Sequence, residues 1–301
     1  MNIIGRKKIF LTVSGILVAA SLLGVGVFGF RQGIDFGGGT LWQFKIPAAA
    51  GPDQKDLEDF FRGELALAGD IRFNLDSASN ILLVRLGVVP EADHQRVLEG
   101  LQTRFPTIEE LSFESIGPSV GQELRKNAMI AIVLVLVGIS LYIAFAFRKT
   151  SRPISSWKYG WITLLTLFHD IAIPAGLLSL LGTYGRVEID SNFVVALLVV
   201  MGFSVHDTIV VFDRIRENLS VSRGKIEFAD IVNQSVNQTM ARSINTSLTL
   251  ILVLIAMYLA GPITLKYFIL TLLVGVTAGT YSSIFVASPL LVVWHKRKNP
   301  I

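Results

Sequence analysis

Apolar residues fill six runs along the chain: Ile9–Phe30, Ala128–Phe147, Gly160–Leu181, Phe193–Phe212, Ser243–Ala260 and Tyr267–Trp294. Each reaches or approaches the roughly 20 residues that cross a bilayer as a helix, so the pattern predicts six transmembrane helices. Gly261-Pro262-Ile263-Thr264 is long enough only for a turn, which makes the last two spans a hairpin. The first run is longer than a signal-peptide core of about 7–15 residues, and it reads as an uncleaved span. Small residues recur four apart, as Gly15/Ala19 and Ala20/Gly24 in the first span and as Gly275, Gly279 and Ser283 in the sixth. Such faces let a neighbouring helix approach closely.

Between the first and second spans the period changes. Gly33-Ile34-Asp35-Phe36-Gly37-Gly38-Gly39-Thr40 leaves the first span. Three consecutive glycines open backbone angles closed to other residues, so Asp35 and Gly37–Gly39 read either as a hinge with an interfacial carboxylate or as a flexible exit. Thr40–Ile46 alternates like a strand, Pro52–Leu67 has helical spacing, and Ile71–Leu75 and Ile81–Leu86 form a strand pair through Ser77-Ala78-Ser79-Asn80. Pro90–Arg104 suits a second helix with proline at its start, and Leu111–Ile116 a fourth strand. The order βαββαβ is the ferredoxin-like split βαβ arrangement. His94 reads as a surface residue of the second helix. No His/carboxylate cluster with metal-ligand spacing occurs there, so this is a binding or docking module and not a catalytic one, and neither a metal nor a cofactor is expected. Gly117-Pro118-Ser119-Val120-Gly121 separates it from the second span. The expected division is therefore 1–32 (cytoplasmic tip and first span), 33–122 (an extracytoplasmic α+β domain) and 123–301 (spans two to six).

Charge supplies the orientation. The chain carries +4 overall with a pI near 9.3. From Arg31 to Gln122, however, eight Lys/Arg stand against fourteen Asp/Glu, a net of −6 that leaves +10 for the rest. That excess sits at helix ends: Arg6-Lys7-Lys8, Arg148 to Arg152, Arg214 to Lys225 and Lys296-Arg297-Lys298. Positive charge flanking spans marks the cytoplasmic side, which puts both termini inside and 33–122 outside, and it is not a nucleic-acid face. The absence of cysteine removes disulfides and thiol chemistry.

The candidate chemistry lies within the spans. The fourth runs into Gly202-Phe203-Ser204-Val205-His206-Asp207-Thr208-Ile209, so Asp207 is an aspartate at membrane depth with His206 beside it. Such a charge costs roughly 2.5–3.5 kcal/mol on insertion scales. Asp207 lies about 15 residues, and Arg242 of the fifth span about 18, from the outer ends of their helices, a difference of roughly 4–5 Å at about 1.5 Å per residue. An arginine side chain spans that gap, so depth predicts an Asp207–Arg242 pair. The pair either fixes helix packing, or it relays protons, protonation of Asp207 releasing Arg242 and letting two arrangements of the bundle interconvert. His206 points about 100° from Asp207 on the helix. Asp213 reads as a solvated charge at the helix end. His169-Asp170 in the third span is a second intramembrane site, either part of the relay or a buried hydrogen-bonded pair. No serine–histidine–aspartate spacing of a hydrolase appears.

Six segments, Gly33–Thr40, Gly117–Leu124, Phe168–Asp170, Gly202–Asn218, Gln238–Ser247 and Gly279–Pro289, resemble in order those of the SecF subunits of the SecD/SecF protein-export family, members of the RND superfamily. The resemblance runs from the first span to the last. It implies an RND-type half-bundle in the bacterial cytoplasmic membrane, partnered by a SecD-like subunit beside the SecYEG channel, often with YidC. There it would use proton flow to draw unfolded preproteins outward after the SecA motor. The family's intramembrane aspartate maps onto Asp207 and its arginine onto Arg242. Many members carry asparagine where this chain has His206. Protons are the expected coupling ion, with sodium the alternative used by some members. A purely structural subunit and a small-molecule or lipid exporter of the same superfamily are the competing readings; the single small external domain counts against the exporter.

Overall fold

A computed structural model describes residues 1–47, 52–65, 71–76, 79–148, 155–184, 187–222 and 224–296. Lys149, Arg152, Arg223, Arg297 and Lys298 of the charged clusters, and residues 77 and 78 of the expected strand turn, lie outside the described residues. The chain divides into two compact units, 32–128 and 1–31 with 129–301.

The smaller unit has the order α2 (Ile34–Gly37), β1 (Gly39–Lys45), α3 (Gln54–Leu65), β2 (Arg72–Asp76), β3 (Ile81–Leu86), α4 (Glu91–Arg104) and β4 (Glu109–Ile116). Its antiparallel sheet runs β2-β3-β1-β4. Strand alternation sends Thr40, Trp42 and Phe44 inward, and Trp42 is fully buried against Phe44, Phe61 and Phe113. A register shift between Gln43 and Phe44 bends β1 against β4. Gly38 and Gly39, at φ +75° and +129°, occupy backbone space that favours glycine. A Cβ on Gly39 would also stand 2.9 Å from the Leu86 carbonyl oxygen. The glycines here thus form a fixed, tightly packed corner.

His94 corrects its expected surface position. It lies 7% exposed on the inner stripe of α4 with Val97 and Leu101. Its ring stacks on Phe113 at 3.8 Å, with Nε2 2.7 Å from Glu110 and Nδ1 3.0 Å from Glu91. Trp42 Nε1 donates to the same Glu110 oxygen at 2.7 Å.

Among the described residues, six helical segments are long and apolar enough to cross a membrane. They are α1 (Lys7–Phe28, prefixed by a 3-10 turn), α5 (Pro118–Ala146), α6 (Ser156–Thr183), α7 (Ser191–Ser222), α8 (Phe228–Ala260) and the sixth span. That last span comprises α9 (Lys266–Ser282), a π turn over Ser283–Ala287 and α10 (Ser288–Lys296). Two boundaries differ from the sequence reading. Pro118 opens α5 as a first-turn proline, so the helix runs through Gly121 without a break. The fifth helix starts at Phe228, with Arg242 fourteen residues inside it rather than at its mouth.

α6, α7 and the sixth span are the central helices, half or more buried, whereas α1, α5 and α8 are largely uncovered by the rest of this chain. Small residues set the spacing. On α6, a Cβ at Gly176 would meet the Ser21 Cβ at 2.5 Å, so α1 crosses there, and the Ser179 hydroxyl donates to the Gly29 carbonyl at 2.6 Å. Tyr159, Phe147 and Phe212 close one end of the core with ring centroids about 5.0 Å apart for Tyr159 with each neighbour. Asn233 of α8 accepts the Ile3 amide at 2.9 Å and pins the N-terminal turn.

Candidate functional site

The buried polar groups of the bundle converge where α6, α7 and the sixth span meet. Gly275 and Gly279 of α9 face Val200 and Ser204 of α7 so closely that a Cβ on Gly279 would stand 3.0 Å from the Ser204 Cβ, and one on Gly275 would collide with Val200. Ser283, the next small residue in the series, meets the next turn of α7, where its hydroxyl donates to Asp207 Oδ2 at 2.6 Å. The face expected from the four-residue spacing therefore lies along the helix that carries Asp207.

Ser282 turns toward the other side. Its hydroxyl donates to Asp170 Oδ2 at 2.8 Å. Ser204 donates to the same oxygen, and His169 Nδ1 lies 2.8 Å from Oδ1. Asp170 is completely enclosed, so three side chains from three spans meet the need of a buried carboxylate for hydrogen bonds. His169 is buried as well; among the described residues its Nε2 has no hydrogen-bond partner, and its ring lies 6.2 Å from that of Tyr281. Serines 282 and 283 are thus consecutive, and each holds a different carboxylate.

They stand where α9 gives way to the π turn. Proline at 289 has no N–H to offer the Phe285 carbonyl, so the α-ladder is already interrupted there. π turns inside longer helices occur mostly at functional sites. On the far side of α9 the Thr280 hydroxyl donates to Ser247 of α8 at 2.7 Å. Among the described residues the buried hydroxyls of Thr208 and Ser243 have no partner. A belt of hydroxyls and two carboxylates therefore crosses four spans.

The ion pair expected from depth is not formed. Asp207 is 6% exposed and bonded to Ser283, whereas Arg242 lies on the uncovered side of α8, and among the described residues no ion pair joins them. The reason is azimuth. The covered stripe of α8 runs through Ser235, Thr239, Ser243 and Ser247, and residue 242 sits one position, about 100°, from Ser243. His206 is also uncovered, while Asp207 and Thr208 beside it are buried. Asp213 is an exposed helix-end charge paired with Arg216 at 3.0 Å. Asp35 is the second residue of the single turn of α2 in the smaller unit. Sequence reasoning did not foresee the roles of Ser204 and Ser282 or the π turn. The adjacent Ser282-Ser283 six residues ahead of Pro289 was the available signal.

The family model for "Protein export membrane protein SecD/SecF, C-terminal" matches residues 97–297, two thirds of the chain. The chain belongs to the SecD/SecF family. The protein translocase subunit SecF of Thermobaculum terrenum is 41% identical, over 99% of this chain and 95% of that one. The SecF of Anaerolinea thermophila is 35% identical over 98% and 94%. The crystal structure of SecDF, a translocon-associated membrane protein from Thermus thermophilus, superposes with a TM-score of 0.82 at 34% identity. It covers 98% of this chain and 38% of its own, so this SecF-type chain spans about two fifths of that protein. A structure of SecDF in a super-membrane-facing form matches at a TM-score of 0.69. The family match, the six spans and the small antiparallel sheet identify a membrane-embedded, non-enzymatic subunit of protein export with an RND-type half-bundle.

Proposed function

We infer that this chain works with a SecD-type subunit and couples ion flow at Asp207 to late steps of preprotein movement through the SecYEG channel, with YidC as a neighbour and unfolded polypeptide as the cargo. The observation that carries the reading is the setting of Asp207: a carboxylate at membrane depth on a central helix, held by one hydroxyl. Arg242 and His206 lie uncovered on neighbouring helices. A guanidinium facing lipid is costly, so these two side chains mark the face that the SecD-type half covers, and Arg242 finds its carboxylate there. Each elementary charge crossing the membrane is worth about 2.3 kcal/mol per 100 mV, enough for a few protons to bias a two-state bundle. The basic helix ends support a cytoplasmic location for both termini in the bacterial inner membrane, with the small domain outside. The coupling ion is the proton; sodium is the competitor that the same experiment separates.

A second reading rests on the Ser283–Asp207 bond itself, which ties the fourth span to the sixth and would suit a purely structural subunit. Asp207→Asn distinguishes them in the complex with the SecD-type partner. Coupling predicts normal complex yield with loss of export driven by an imposed pH gradient. Full gradient-driven export in the variant would defeat the coupling reading, and lost yield would establish the structural one. Export driven by a sodium gradient alone in the wild type would replace the proton.

A further inference from the structure

We propose that Asp170 is a second proton-carrying carboxylate of the transport site, coupled to Asp207 through the consecutive hydroxyls of Ser282 and Ser283 at the head of the π turn. The proposal rests on Asp207 as the primary site and deepens it.

Each of the two serines has one proton and two acceptors. Ser282 lies 2.8 Å from Asp170 and 3.1 Å from the Gly279 carbonyl oxygen; Ser283 lies 2.6 Å from Asp207 and 3.0 Å from the Thr280 carbonyl oxygen. When a carboxylate is ionised, the serine donates to it. When the carboxylate takes a proton, its new O–H donates to the serine oxygen, and the serine rotates its own proton onto the carbonyl behind, the local bond serines readily make in helices. Both charge states are then hydrogen-bonded without moving the backbone. A site that serves packing alone has no use for the second arrangement.

His169 adds a further feature. Its Nδ1 is committed to Asp170, and among the described residues its buried Nε2 has no partner, an arrangement that normally costs stability. A proton reaching this group is shared between imidazole and carboxylate. The titratable groups around Asp170 are His169 on α6, Asp207 on α7 and Tyr281 on α9. α1 brings only the Ser14 hydroxyl, 3.4 Å from that of Tyr281; on α8, Arg242 is turned outward. In the transfer one O–H bond breaks at Asp207 and one forms at Asp170, so charge is conserved within the belt while its negative end moves from the third span to the fourth. The π turn senses both ends, because the two reporting hydroxyls are adjacent in its chain.

The test uses the complex with the SecD-type partner in lipid, comparing wild type, Asp170→Asn, Asp207→Asn and Ser282→Ala. Export driven by a pH gradient is measured beside infrared difference spectra on pH steps. We expect two protonated-carboxyl bands, one missing in each aspartate variant. Ser282→Ala should raise the wavenumber of the band assigned to Asp170, and Asp170→Asn should lose gradient-driven export at normal yield. If Asp170→Asn exports normally and removes no band while Asp207→Asn fails, the proposal falls and the Asp207 reading stands. If Asp207→Asn is without effect, the underlying reading falls first. Should Asp170→Asn not assemble, the spectra of wild type and Ser282→Ala decide: a single titrating band untouched by Ser282→Ala overturns the proposal.

Discussion

Replacing Gly275 by alanine asks whether the close approach of α9 to α7 is what aims Ser283 at Asp207. A Cβ at position 275 would stand 2.8 Å from Cγ1 and 3.1 Å from Cβ of Val200, and nearer still to Cγ2. Carbon atoms settle at about 3.5–4.0 Å, so relief needs the helices to part by roughly 1 Å. Ser283 lies eight residues on, about 12 Å along the axis at ~1.5 Å per residue. A parting that persists over that length stretches the 2.6 Å Ser283–Asp207 bond to about 3.5 Å, the limit of a hydrogen bond. Overpacking costs about 1–3 kcal/mol, and replacing a helical glycine by alanine returns up to ~1 kcal/mol. Net destabilisation is therefore about 0–3 kcal/mol, while the functional loss should be larger than the stability loss. Val200→Ala removes both Cγ atoms and leaves only the 3.1 Å contact, so the double variant should recover export even though Val200→Ala alone loses packing. Thermal unfolding of the purified complex and pH-gradient-driven export, measured on both single variants and the double, provide the readout. Wild-type export in Gly275→Ala, or a double variant whose losses are the sum of the singles, would refute the reasoning.

Three further outcomes follow from named contacts. Burial pushes the His94 imidazole down, but hydrogen bonds to Glu91 and Glu110 and the charges of those carboxylates outweigh it and hold its pKa above 6.5. The pair's stabilisation is then complete below pH 6.5 and lost as pH rises through the folded value; an NMR titration of the His94 ring with a midpoint at or under 6.5 would contradict this. Gly39→Ala combines a φ of +129° with a Cβ 2.9 Å from the Leu86 carbonyl oxygen, a strain of about 1–3 kcal/mol, and should speed amide exchange across β1 and β3. Gly87→Ala, which meets nothing within 4 Å, serves as its control, and equal exchange in the two variants would sink the assignment. Arg242→Gln should lower recovery of the SecD-type partner or uncouple export, without changing the melting temperature of this chain alone by more than about 2 °C, the shift expected of an uncovered surface position; a large loss of melting temperature would mean that Arg242 packs within the chain.

What the sequence disclosed is what periodicity encodes. Alternation over Thr40–Ile46 marked a strand, and long apolar runs marked the six spans, because both signals are local. His94 follows the same periodicity against its polarity: it lies on the 94, 97, 101 stripe of α4, where two carboxylates and a stacked ring satisfy it inside. Arg242 exposes a different limit. Counting residues along two helices fixes relative depth, but a side-chain pair also needs matching azimuth, and one residue of offset from Ser243 turned the arginine away. The Asp170 and Asp207 sites depend on a third kind of information, the mutual rotation of three helices. Glycines 275 and 279 set the separation of α7 and α9, and the π turn decides that neighbouring serines face different partners. The small-residue spacing of the sixth span marks the close approach, but which helix it meets and which carboxylate each serine reaches are not written in any single segment. The belt of hydroxyls is consequently the part of this molecule that tertiary packing creates: each of its two carboxylates meets a serine hydroxyl that also lies within reach of a carbonyl oxygen of its own helix.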